Sequence, residues 1–165
     1  MRLGLAFIFS LLVLVGCGGE PQSGGLGDIR QPVHIVLQEH EGEHLGHTIE
    51  RHVAKSDEYL MDRLNNNKKL KTVSTFSSLG MAEASINAVL NMQREQVAEW
   101  WRGDLARQAF FARVPTHGRY LTRDILQQEG DGARARPVPD MAVVRVVLAR
   151  KGEDFYVLTA FPQPD

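Results

Sequence analysis

Five of the six histidines of this chain lie between residues 34 and 52. The segment His40–His44 reads His-Glu-Gly-Glu-His and matches H-E-x-x-H, in which a helix presents two imidazoles to zinc and the glutamate acts as a base. Gly42 and Gly46 weaken such a helix, and a third ligand such as Glu83 has no further support. A zinc metallohydrolase is therefore one hypothesis for this segment.

The same residue types suit metal-free cleavage of RNA. That reaction needs a base for the 2′-hydroxyl, an acid for the leaving 5′-oxygen and a cation for the phosphorane. Histidine, with a pKa near neutrality, suits the first two tasks, and the planar fork of arginine matches two phosphate oxygens. His40 and Arg51 would lie roughly 16 Å apart on one continuous helix. We therefore expect Gly42 and Gly46 to bend the chain and bring His40 toward Arg51.

An ordinary solvated surface of mixed charge is the third interpretation of the histidine cluster. Scattered basic residues also allow two interpretations: they contact phosphates around a cleft, or they simply face water. The basic residues concerned are Lys68, Lys69, Lys71, Arg113, Arg119, Arg123, Arg134 and Arg136.

Composition narrows the class of protein. The chain has 165 residues, of which 43% are hydrophobic and 24% charged, and these fractions exclude a disordered, collagen-like or multi-span membrane protein. The 19 basic and 20 acidic residues nearly balance, which argues against a strongly cationic DNA-coating protein. One cysteine excludes an intrachain disulfide and a Cys-rich metal site.

The first residues predict export. The apolar run at 3–15 follows Arg2; it is shorter than the roughly 20 residues of a transmembrane helix and has the length of a signal-peptide core. The sequence Leu14-Val15-Gly16-Cys17 resembles the lipobox of bacterial lipoproteins. The resemblance implies cleavage before Cys17, lipidation of its sulfur, and a mature protein anchored to the bacterial membrane (outer membrane and periplasm, or cell surface).

The chain then divides into three parts. Residues 1–16 are predicted to be the signal peptide, residues 17–30 the lipidated cysteine and a flexible tether rich in glycine, and residues 31–165 one folded domain.

The spacing of the apolar residues predicts that the first half of this domain is helical. Leu45, Ile49 and Val53 are four residues apart, which predicts a first helix. Ser56 is a helix N-cap for a second helix that ends near Asn65-Asn66-Asn67. A long third helix is predicted from Ser77 or Ser78 to Gly103, with Trp100 in the core.

The second half has strand character. Residues 141–148 and 155–161 are rich in β-branched and aromatic side chains, and the polar segment between them predicts an antiparallel hairpin. Residues 119–122 are a third predicted strand, and residues 130–139 a loop. Helices followed by an antiparallel sheet indicate an α+β fold.

Several groups of residues stand in a fixed order along the chain: Leu37-x-x-His40-Glu41; Gly46-His47-Thr48-Ile49-x-Arg51-His52-Val53-x-Lys55; Ala82-Glu83-x-x-Ile86 with Trp100; Val146-Val147-Leu148; and Tyr156-Val157-Leu158-Thr159-Ala160-Phe161-Pro162. Together they resemble the bacterial ribonuclease A-like domain of contact-dependent growth inhibition toxins and other polymorphic toxins. The resemblance spans residues 32–162. It implies N-terminal helices packed on a curved C-terminal antiparallel sheet, a cleft between them, and no disulfides.

The resemblance also implies which residues act. The family's histidine of the H-E segment falls on His40, as general acid or base, and its arginine before H-V falls on Arg51, as the transition-state cation. The threonine of the last strand falls on Thr159, a hydrogen-bond donor to phosphate, and the next aromatic falls on Phe161, on the same face of the strand. At least some members carry tyrosine there, so this chain lacks one hydroxyl. Candidates for a second acid or a phosphate ligand are His47, His52 and His117.

The activity implied is a toxin-like, metal-independent endoribonuclease that leaves a 2′,3′-cyclic phosphate. Its partners would be RNA and a cognate immunity protein, with no cofactor, and it would touch the membrane only through the lipid. The alternative is a non-catalytic lipoprotein that uses the fold as a binding module. The missing hydroxyl at Phe161 and a location outside the cytoplasm favour that alternative, and the zinc hydrolase stands third.

Overall fold

The computed structural model describes residues 32–42 and 45–164. The helices are a 3-10 turn at Leu37–His40, α1 (Thr48–His52), α2 (Asp57–Asn66), α3 (Leu79–Met92), α4 (Arg94–Arg102), α5 (Arg123–Glu129) and a second 3-10 turn at Gly130–Gly132. The strands are β1 (Thr72–Phe76), β2 (Arg107–Pro115), β3 (Gly118–Thr122), β4 (Arg136–Pro137), β5 (Met141–Lys151) and β6 (Asp154–Gln163).

These strands form two antiparallel sheets of three strands each, in the orders β1-β3-β4 and β2-β5-β6. The hairpin of β5 and β6 is the one predicted from the sequence, and it turns at Gly152, whose φ of 61° is the left-handed conformation that glycine adopts readily. The α+β class is therefore confirmed. The predicted strand at 119–122 is also present as β3, but it pairs with β1 rather than with the hairpin.

Two hydrophobic clusters hold the helices to the sheets. In the larger cluster, Ile86 and Leu90 of α3 pack with Phe110 of β2 and Val146 of β5. The smaller cluster joins α2 to the other sheet through residues such as Leu64. Both sheets thus present one face to helices, and the last strand, β6, also contacts β1 of the other sheet.

Three sequence predictions need correction. The first helix covers only Thr48–His52, because Glu41 accepts hydrogen bonds from the amides of Ile49 and Glu50 at its start. The third helix is two helices, α3 and α4, separated at Gln93. The predicted loop at 130–139 contains a 3-10 turn and the short strand β4. By contrast, Ser56 and Ser78 cap their helices as predicted.

The predicted bend before α1 is confirmed. Gly42 has a φ of 127°, which L residues rarely adopt. The amide of Gly46 donates to the carbonyl of His40 over 2.8 Å, and a Cβ on Gly46 would collide with the carbonyl oxygen of Val157. Glycine at both positions thus lets the chain turn back and lie directly on β6.

The predicted signal peptide, the tether and Cys17 lie outside the described residues, as do Glu43 and His44. Among the helices of the described part, none is long and apolar enough to cross a membrane.

Candidate active site

A cavity of about 360 Å³ opens where β6 runs beside β1, under α1 and α2. We call it the β6 cavity. Its lining residues are His47, His52, Arg63, Leu70, Thr72, Val73, Ser74, Thr159, Phe161, Pro162, Gln163 and Pro164. It therefore brings together four residues singled out in the sequence: His47, His52, Thr159 and Phe161.

Strand β6 anchors the histidine segment. The amide of Val157 donates to Nδ1 of His40 over 3.3 Å, and the amide of His47 donates to the carbonyl of Leu158 over 3.1 Å. Since a strand rises about 3.3 Å per residue, the residue that anchors His40 is about 7 Å from Thr159. Consecutive residues of β6 thus hold the two histidines beside the threonine.

The hydroxyl of Thr159 is the unusual polar group of the cavity. Its Oγ1 is buried and has no hydrogen-bond partner within the described residues. Leaving a buried hydroxyl unpaired costs about 1–3 kcal/mol, so native proteins rarely keep one without a use for it. Phe161, two residues along, lines the same cavity, which confirms that the two side chains share one face of the strand.

His52 is a buried, neutral imidazole. It is 6% exposed, and burial lowers its pKa to about 3, against the opposing effect of a hydrogen bond to the Ser74 carbonyl. Because a carbonyl only accepts, Nδ1 of His52 is the donor in that 2.9 Å contact, and the lone pair of the neutral ring lies on Nε2. The ring stacks on Phe161 with centroids 5.0 Å apart.

His47 and His40 are less buried than His52. Burial lowers the pKa of His47, nearby Arg51 lowers it further, and Glu41 and Glu50 oppose the shift. Burial also lowers the pKa of His40, against the carboxylates that flank it. Both rings are therefore mainly neutral at pH 7.

His40 does not line the β6 cavity; it stands next to it. Its ring stacks on Phe155 with centroids 6.0 Å apart. Because Nδ1 accepts the Val157 amide, the neutral ring carries its proton on Nε2. His40 consequently faces its surroundings as a hydrogen-bond donor.

Arg51 and Arg63 supply positive charge. Arg51 lines a neighbouring groove of about 450 Å³ with Tyr59, Asp62, Arg63, Asn66, Asn67 and Leu70. Arg63 and Leu70 also line the β6 cavity, so Arg63 stands between the two spaces. The Nη1 of Arg63 donates to the Arg51 carbonyl over 3.1 Å. Burial lowers the pKa of Arg63, but arginine remains charged at neutral pH.

Sequence reasoning missed Arg63. The one available signal is its place on α2, one residue before the buried Leu64, where a long side chain lies at the border of the apolar face. It follows Tyr59 by four residues, and its guanidinium lies 6.0 Å from that ring.

His117 and several of the scattered basic residues lie elsewhere. His117 lines a separate groove with Lys55 and Arg119 and approaches Asp140 at 3.5 Å. Arg119 pairs with Asp57 at 2.8 Å, and Arg123 donates to backbone carbonyls around Leu70. These contacts show that Arg119 and Arg123 stabilise the fold.

The H-E-x-x-H segment is not α-helical where the structure describes it. The H-E-x-x-H pattern requires a helix that carries both histidines on one face. Here the 3-10 turn ends at His40, and Gly42 leaves helical geometry altogether. Within 32–42 and 45–164, no three His, Cys, Asp or Glu side chains cluster closely enough to hold a metal ion.

Comparison with known proteins agrees with this architecture. The crystal structure of a CdiA-CT/CdiI complex from Y. kristensenii contains a similar chain, with a TM-score of 0.56 and 22% sequence identity. The match covers 72% of this chain and 100% of that chain, and at this identity it shows the fold. No curated protein matches.

The family described as bacterial CdiA-CT RNAse A domain matches residues 46–162. That range contains Arg51, Thr159 and Phe161 and the whole lining of the β6 cavity up to Pro162, whereas His40 precedes it. Because the match covers well over half of the chain, this protein belongs to the family of bacterial CdiA-CT RNase A domains.

Proposed function

We propose that this protein is a toxin-type endoribonuclease that cleaves RNA without a metal ion, by transphosphorylation to a 2′,3′-cyclic phosphate. Membership of a ribonuclease family supports the substrate and the bond. The observation that carries the mechanism is the gathering of His40, His47 and an unpartnered Thr159 hydroxyl along consecutive residues of β6.

The scissile phosphate binds against Thr159 and Arg63. The Thr159 hydroxyl, which has no partner within the described residues, donates to a non-bridging oxygen. Arg63 faces the same cavity and compensates the charge that builds up on the phosphorane. Such preorganised donors are effective because they are in place before the charge develops. Arg51, in the adjoining groove, acts on the same phosphate or on its neighbour along the strand.

His47 and His40 move the protons. Neutral His47 takes the proton of the 2′-hydroxyl as the 2′-oxygen bonds to phosphorus. The bond from phosphorus to the 5′-oxygen breaks, and that oxygen takes a proton from Nε2 of His40, which enters this step as the imidazolium. Protonation of Nδ1 breaks its 3.3 Å hydrogen bond with the Val157 amide. Burial lowers the pKa of His40 and so makes its imidazolium a stronger acid.

His52 supports the site in the neutral form. With a pKa of about 3 it is a poor proton carrier at neutral pH, and its stacking on Phe161 closes one wall of the β6 cavity. Phe161 brings no hydroxyl, so Thr159 is the hydroxyl donor that this strand face offers to the phosphate.

The test is cleavage of total RNA by the full chain in excess chelator, beside His40→Ala. His34→Ala is the matched control, because it removes an exposed histidine from the same segment. We expect wild type and H34A to cut, H40A to be inactive, and fragments to end in a cyclic phosphate. RNA left intact by folded wild type would refute the nuclease and favour the binding module. Activity that chelator abolishes would refute metal independence.

A cognate immunity protein is part of this proposal. The similar CdiA-CT chain was crystallised with CdiI, and a bacterium that makes an active ribonuclease needs protection from it. Expression without a signal peptide should be toxic, and co-expression of an immunity protein should relieve the toxicity. Harmless expression of an active enzyme would argue against a toxin.

We also propose that the mature protein is an exported lipoprotein anchored through Cys17. Substitution by serine removes the thiol that lipidation needs. Cys17→Ser should move the chain out of the membrane fraction, and an unchanged distribution would disprove the anchor.

A further inference from the structure

A row of side chains crosses the sheet β2-β5-β6 beside the cavity. Phe111 of β2 pairs with Arg145 of β5, and Arg145 pairs with Phe161 of β6. Directly paired residues of antiparallel strands point to the same face. The guanidinium carbon of Arg145 lies 5.3 Å from the ring centre of Phe111 and 6.0 Å from that of Phe161. We call these three residues the Arg145 ladder.

The ladder continues the β6 cavity toward the edge of the sheet. Phe161 lines the cavity, and Phe111 is 42% exposed on the edge strand β2. An RNA strand that leaves the cavity across this face therefore meets an arginine and then an open aromatic ring.

Arg145 differs from the arginines that hold the fold together. Its Nε is buried and has no hydrogen-bond partner in the part of the chain that the structure describes. Arg150, five residues further along β5, donates to four backbone carbonyls. Arg123 donates to three. A guanidinium that only supports a strand would satisfy its donors in this way.

We propose that the Arg145 ladder is a binding subsite for single-stranded RNA next to the scissile phosphate. The guanidinium of Arg145 donates to a phosphate, and Phe111 stacks on the base that follows. The rings on either side hold the guanidinium plane in place, because arginine stacks on aromatic faces. Stacking on Phe111 accepts any base, so the subsite recognises a single strand and not a particular sequence.

This inference rests on the proposed function for its substrate, but its test does not need cleavage. The probe is a labelled 2′-O-methyl RNA decamer, which lacks the nucleophilic hydroxyl and cannot be cut. Binding to the full chain is measured by fluorescence anisotropy over a series of salt concentrations. The variants are Arg145→Met, Arg145→Lys and Phe111→Ala. Arg102→Met is the control, because it removes one exposed arginine at the end of α4.

We expect F111A to weaken binding at least about fivefold, the effect of losing one base stacked on an aromatic ring. R145M should weaken binding and lower the slope of log affinity against log salt by about 0.7, the value for one phosphate contact on a single strand. R145K keeps the charge and should retain the slope while binding more weakly than wild type. R102M should bind as wild type does.

Equal affinities for wild type, R145M and F111A would overturn the subsite and leave the ladder as a surface for a protein partner. R145M and R102M with the same loss would overturn it as well, because the effect would then be net charge. Thermal unfolding of each variant shows whether it is folded. If R145M does not fold, the affinity of R145K tests the subsite in its place. If wild type binds the decamer through the ladder but leaves natural RNA intact, the proposed nuclease activity is refuted and the subsite is supported.

Discussion

Replacement of Thr159 by valine should separate stability from activity. The two side chains have similar shapes, and the change removes the buried hydroxyl that lacks a partner within the described residues. Removal of a group that contributes no hydrogen bond should raise the free energy of unfolding. The same group is the proposed donor to the phosphorane, so its removal should slow cleavage.

The sizes follow from ordinary values. A buried unpaired hydroxyl costs about 1–3 kcal/mol, and we expect T159V to recover about 1 kcal/mol of it. For a domain of this size that gain raises the unfolding midpoint by about 2–6 °C. Loss of one preorganised donor typically lowers kcat by about 10²–10³. The two effects have opposite signs, which a purely structural role for Thr159 would not produce.

Thr48 provides the matched control. It is a buried threonine whose Oγ1 accepts the amide of Ala160 over 3.0 Å, so Thr48→Val leaves that amide unpaired and should destabilise the protein by about 1–3 kcal/mol. Urea unfolding and cleavage of a short fluorogenic RNA measure both properties, and Thr159→Ser should restore activity. If T159V destabilises the protein as T48V does, or cuts RNA at the wild-type rate, the role assigned to Thr159 is wrong.

Three further predictions concern the charged groups of the site. The profile of kcat/KM against pH should peak below pH 6.5, because the pKa values of His40 and His47 are both lowered; a peak above pH 7 would contradict these roles. Arg63→Met should lower kcat/KM at least about a hundredfold and Arg63→Lys less, since lysine keeps the charge but loses the bidentate fork; equal losses would speak against bidentate binding. The pKa of His52 is about 3 in the folded protein and about 6.5 in the unfolded chain, so the free energy of unfolding should rise with pH between these values. Urea unfolding should show a loss of roughly 2–3 kcal/mol from pH 7 to 4.5, and His52→Phe should abolish this loss.

Local signals in the sequence predicted the parts of the fold that local chemistry determines. Ser56 and Ser78 cap helices because a serine hydroxyl accepts the amide three residues on. The β5–β6 hairpin follows from two β-branched runs around a glycine turn. Strand β1 was missed because its Ser74 and Thr75 are polar yet buried, at 2% exposure each. They are buried by pairing with distant segments, which no local pattern records.

The candidate site was predictable where it follows from the period of a strand and unpredictable where it depends on packing. Thr159 and Phe161 share a face because side chains alternate along β6. The anchoring of His40 to Val157 joins residues 117 positions apart, and the position of Arg63 depends on how α2 packs on β1. The glycine bend was visible in the sequence, but its destination on β6 was not.

Different groups are proposed to bind RNA and to catalyse its cleavage. The groups proposed to hold RNA are the arginines Arg51, Arg63 and Arg145, and a guanidinium does not lose its proton in proteins. By contrast, His40 and His47 are mainly neutral above pH 6.5. The affinity for the uncleavable decamer should therefore depend on salt but stay constant within about twofold between pH 6.5 and 8, while kcat for a cleavable RNA falls over the same interval. Anisotropy and cleavage measured in the same buffers make this comparison. An affinity that falls in parallel with kcat would mean that protonated histidines hold the substrate. The binding roles proposed for the arginines would then be wrong.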